Sequence, residues 1–134
     1  MATPQQEAEA TYVRDHWDIQ AKGTNYLLLG HGAILAGCLT IFKDTTGNGI
    51  QGLGSVGAIA ALGLLLAALA YGALMVCRSV KVKNARGSSY TEIGPIVSWF
   101  KFFQLTSFAV FLLEMCIIAF RFAFSQFEQA SAFR

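Results

Sequence analysis

The chain has 134 residues, of which 54% are apolar and only 13% charged, and its formal net charge is +2. So few charges, about half the share usual in soluble domains, could not cover a water-soluble globule. The composition points to an all-α integral membrane protein, and the small net charge gives no footing for nucleic acid.

The N-terminus, MATPQQEAEATY, lacks the basic start and apolar core of a secretory signal, so the first apolar segment is expected to stay in the mature protein. Residues 5–22 read as a short amphipathic helix with Ala10, Val13 and Trp17 on one side, and Pro4 suits its first turn. Such a helix is expected to lie at the membrane interface with Trp17 as its anchor; a solvated stalk running into the first span is the other arrangement.

Three apolar runs follow. Span one covers residues 25–43, near the lower length limit for crossing a core of roughly 30 Å. Residues 44–52 include GNGIQG, which matches the G-x-G-x-x-G dinucleotide fingerprint. That fingerprint requires a strand before it, a helix after it and an acid about twenty residues on. A hydrophobic span precedes this copy and residues 67–77 hold no acid, so it reads as a glycine-rich hairpin between two spans.

Span two, residues 53–77, is almost free of polar side chains. It repeats the small-xxx-small pattern in Gly54/Ala58, Gly57/Ala61, Gly63/Ala67 and Ala68/Gly72, and span one does so in Gly32/Ala36 and Ala33/Gly37. Small residues at that spacing let helix backbones approach closely in lipid, where no hydrophobic drive brings them together. Span two is therefore expected to be the helix most surrounded by protein.

Residues 78–95 form a basic loop carrying Arg78, Lys81, Lys83 and Arg86. With Arg14 and Lys22, and with Lys101 close to the same surface, they outnumber Lys43 and Arg134 on the other side. The positive-inside rule then places the N-terminus in the cytoplasm and the C-terminus outside, as in a bacterial cytoplasmic membrane. The four basic residues, with Trp17 and Trp99, are also candidates for contact with anionic lipid head groups.

Span three, residues 96–124, is rich in phenylalanine and leads to a tail, residues 125–134. Ser107, Glu114, Arg121 and Glu128 recur every seven residues and share a stripe, with Gln104 close to the same side. A bare carboxylate at the depth of Glu114 costs several kcal/mol, so it must be protonated, paired or facing water. Arg121 lies about 10.5 Å further along the axis, too far for a relaxed ion pair, and is free to reach Glu128 or the interface. His31 in span one falls within about two turns of Glu114 in depth, so a hydrogen bond between them is expected, within one chain or between copies.

No nucleophile–base set, metal-ligand cluster or credible phosphate loop is present. Cys38, Cys77 and Cys116 have neither disulfide-framework nor zinc spacing and read as small buried hydrophobes. No catalytic residue, metal site or cofactor is expected. The expected role is an accessory, assembly or structural subunit that packs against other membrane subunits or copies of itself. The alternative is a homo-oligomeric pore or proton path, holin-like or effector-like by architecture, lined by the stripe on span three.

Overall fold

The computed structural model describes residues 2–44, 53–87 and 91–132. They form three helices: α1 (Pro4–Asp44), α2 (Leu53–Ala85) and α3 (Gly94–Ala132). Each is long and apolar enough to cross a membrane. At 1.5 Å per residue, α1 is about 60 Å long, twice the thickness of a hydrocarbon core.

Residues 5–22 are helical, and they run into span one without a break at Gly23. Its start is fixed locally. Thr3 and Gln6 bond each other reciprocally, Gln6 N–H to Thr3 Oγ1 at 3.3 Å and Thr3 N–H to Gln6 Oε1 at 2.8 Å, with Pro4 between them. Likewise, α2 continues to Ala85, so half of the expected basic loop is helix. The turn that follows contains Gly87, whose φ of 72° favours glycine. The side chain of Asn84 then ties the chain to Thr91 through two hydrogen bonds. The segment containing GNGIQG lies outside the described residues.

The helices pack in register. Glu7 meets Arg86, Asp18 meets Arg78, His31 meets Gly63 and Cys38 meets Gly57, so α1 and α2 run antiparallel over their shared length. Trp17 meets Phe100, Thr24 meets Gln104 and His31 meets Glu114, so α1 and α3 run parallel. Helix α2 packs extensively on both others, whereas α1 and α3 touch sparingly. The starts of α1 and α3 thus share one end of the bundle with the close of α2.

At that end Trp17, Ala70, Leu74, Cys77, Ile93 and Phe100 form a buried cluster. Trp17 was expected to anchor in lipid head groups; instead its ring packs edge-on against Phe100, 5.9 Å between centroids. The reason is the continuous α1, which carries Trp17 alongside α2 rather than along an interface. Two of the four basic candidates are ion-paired between α1 and α2, Arg78 half-buried and Arg86 at the surface. Arg78 pairs with Asp18 at 2.8 Å and Arg86 with Glu7 at 3.2 Å, while Lys81, Lys83 and Trp99 stay exposed.

The small residues divide. Gly63 and Ala67 are buried in the bundle. Ala36, Gly37, Gly54, Ala58, Ala68 and Gly72 are exposed, and a Cβ added at Gly32, Gly37, Gly54 or Gly72 would meet nothing within 4 Å. So α2 is the central helix, yet most of its small-residue pattern faces outward.

Candidate functional site: a closed polar network inside the bundle

Fourteen residues past Trp17, about 21 Å along α1, the ring of His31 points into the bundle and is fully buried. Its path is made by an absence. Gly63 on α2 has no side chain, and a Cβ there would overlap the imidazole. The ring therefore crosses α2 and reaches α3.

On α3, Ser107 and Glu114 stand seven residues apart, on one face two turns from each other, and both are fully buried. The imidazole sits between them. Nδ1 lies 2.9 and 3.0 Å from the two oxygens of Glu114. Nε2 lies 3.2 Å from the Ser107 carbonyl and 3.1 Å from its Oγ. The Ser107 hydroxyl in turn donates to the Gly63 carbonyl at 3.3 Å. All three helices are joined through one ring.

Donor and acceptor accounting fixes the protons. A backbone carbonyl only accepts, and the Ser107 hydroxyl has given its hydrogen to Gly63, so Nε2 carries the N–H. Nδ1 faces a carboxyl group that must either accept from it or donate to it. One proton therefore lies between Nδ1 and Glu114, as imidazolium with carboxylate or imidazole with carboxylic acid. Either way the pair is neutral overall, which is how a carboxyl group is tolerated halfway along an apolar helix.

Aromatic packing closes the side facing α3. Phe111 meets His31 edge-on at 5.5 Å, and the α1 backbone comes so close that a Cβ at Gly30 would lie 2.6 Å from the Phe111 ring. Two turns nearer the Trp17 cluster, buried Thr24 bonds back to the Gln20 carbonyl at 3.1 Å and takes a long contact from Gln104 Nε2 at 3.4 Å.

Of the expected stripe, Gln104, Ser107 and Glu114 thus face α1 and α2. Arg121 is exposed and has no part in the network, and the side chain of Glu128 lies outside those described. Sequence reasoning missed Thr24 and Phe111, and it had Gly63 as a packing residue rather than the seat of a histidine. The signal for Gly63 was its place in a small-xxx-small pair; Thr24 gave none. Among the described residues no cluster of three or more His, Cys, Asp or Glu could hold a metal. Compared with protein-family models, curated proteins and solved structures, the chain matches none.

Proposed function

We propose that this chain is a small integral membrane subunit that acts by helix packing, as an accessory or assembly component of a larger membrane complex. One observation carries the reading: His31, Ser107 and Glu114, halfway along the helices, satisfy one another inside a single chain and are buried from its outer surface. A pore needs polar groups along its lining. Here Ser107 and Glu114 have no exposed surface to offer a lumen. Among the residues the chain turns outward are small ones, Ala36 and Gly37 on α1 and Gly54, Ala58, Ala68 and Gly72 on α2. Such faces admit a neighbouring helix backbone in lipid.

The neutral network fits this role as a clamp, because it fixes the rotation and depth of three helices without needing water. Its single shared proton also fits a proton-coupled role, which the clamp does not exclude. The excess of Lys and Arg at the Trp17 end of the bundle supports a cytoplasmic N-terminus and a C-terminus outside. A bacterial cytoplasmic membrane is the setting proposed.

Purification in native nanodiscs, with the particle mass measured and every protein identified, tests the reading. Stoichiometric co-purification of a larger membrane protein is the expected result. A homogeneous ring of this chain alone, together with depolarisation of overexpressing cells, would replace it with the pore. A solitary monomer would remove both.

A further inference from the structure

The sparing contact between α1 and α3 leaves a groove of about 710 Å³ between them, open to the outside of the bundle. Its volume falls within the roughly 300–1,000 Å³ range of ligand clefts. Its walls are Gly23, Tyr26 and Leu27 on one helix and Leu105, Phe108 and Phe111 on the other. Lys101 and Gln104 stand at one end. Lys22 precedes Gly23 on α1, one turn before Tyr26 on the same side, and is exposed, as is Lys101. Neither lysine has an ion-pair partner among the described residues.

We infer that this groove binds one anionic glycerophospholipid from the surrounding bilayer. The occupant follows from the distribution of charge. The unpaired Lys101 ammonium at one end, with Lys22 exposed on the adjoining edge of α1, calls for a phosphate, and the apolar walls leading away from it call for hydrocarbon. An acyl chain laid past Leu105 and Phe108 ends against Phe111, whose ring also meets His31. The bound chain would thereby cover the aromatic wall of the His31–Glu114 network on the side where α1 and α3 part. Phosphatidylcholine could fill the same apolar walls, but its quaternary ammonium cancels the charge of its phosphate. Discrimination between lipids therefore rests on the two lysines, which favour a head group of net negative charge.

The test is native mass spectrometry of the delipidated full-length chain titrated with phosphatidylglycerol or with phosphatidylcholine of the same acyl chains. One phosphatidylglycerol per chain is expected, held at least tenfold more tightly than phosphatidylcholine. K22Q/K101Q should abolish that preference while leaving the helical circular dichroism unchanged. Gly23→Leu, whose added bulk narrows the groove mouth, should weaken both lipids. Equal retention of the two lipids by the native chain would overturn the inference, as would a preference that survives K22Q/K101Q. A preference lost instead in K81Q/K83Q would also overturn it, by assigning the lipid to the basic end of α2. A second copy of the chain found in the groove with no lipid bound would overturn it too.

Discussion

Replacing Gly63 by alanine adds one methyl group at the point where the bundle is most tightly determined. The new Cβ would lie 2.8 Å from His31 Nε2 and closer still to Cε1 and Nδ1, well inside van der Waals contact. The ring cannot slide aside freely, because Glu114 holds Nδ1 and Ser107 holds Nε2. Either α2 moves away from α1 and α3, or the imidazole leaves its site and strands a buried carboxyl group. Overpacking of this kind costs about 1–3 kcal/mol, and the other route, a stranded buried polar group, also costs about 1–3 kcal/mol. Alanine returns roughly 0.5–1 kcal/mol of helix preference over glycine. The net expectation is a loss of about 1–2 kcal/mol by either route. Reversible unfolding by SDS in mixed micelles, read by Trp17 fluorescence in a Trp99→Phe background, measures it. Gly37→Ala and Gly72→Ala, where the methyl meets nothing, should be neutral or slightly stabilising. In a His31→Ala background the cost of Gly63→Ala should largely vanish, a coupling of about 1–3 kcal/mol. If Gly63→Ala behaved like Gly72→Ala in the native background, the imidazole would not lie across α2 and the three-helix clamp would be wrong.

Three further outcomes are expected. Glu114→Gln should keep the fold, at a cost of about 1 kcal/mol, since an amide still bonds Nδ1, yet abolish any proton-coupled activity; Glu114→Leu should cost about 1–3 kcal/mol by leaving Nδ1 unpartnered, with both stabilities read by the same SDS titration. Trp17→Ala should destabilise by about 3–5 kcal/mol and open residues 4–22 to proteolysis and hydrogen exchange, whereas a free interfacial helix would respond weakly. Single cysteines placed at 79–90 in a chain lacking Cys38, Cys77 and Cys116 should resist impermeant reagents in intact cells, and their labelling would reverse the proposed orientation.

Several features could be read from residue order because they depend on local or periodic physics. Long apolar runs must become helices in lipid, since no water is there to satisfy the backbone, and that gave the three elements and their alternation. Glu114 stood out because a lone carboxyl in a phenylalanine-rich helix needs a partner, and counting turns brought His31 to its depth. The break drawn between residues 5–22 and span one had no comparable basis. A change from polar to apolar residues marks a change of solvent, not an end of helix, and Gly23 alone does not stop one.

Other features arose only where helices met. Periodicity placed Ser107 and Glu114 on one stripe but could not say whether it faced a lumen, a partner or the bundle itself. That was decided by Gly63, which opens a passage across α2 for a side chain from α1. Trp17 shows the same division. Its size and position suit a membrane anchor, yet the register of α1 against α2, held by Asp18–Arg78 and Glu7–Arg86, turns it onto Phe100. The sequence by itself determined that there are three apolar helical spans of alternating direction, because these follow from apolar length and backbone hydrogen bonding. Only the tertiary structure decided which face of each helix turned inward, because that choice rests on contacts such as His31 with Gly63, 32 positions apart in the chain and adjacent in space.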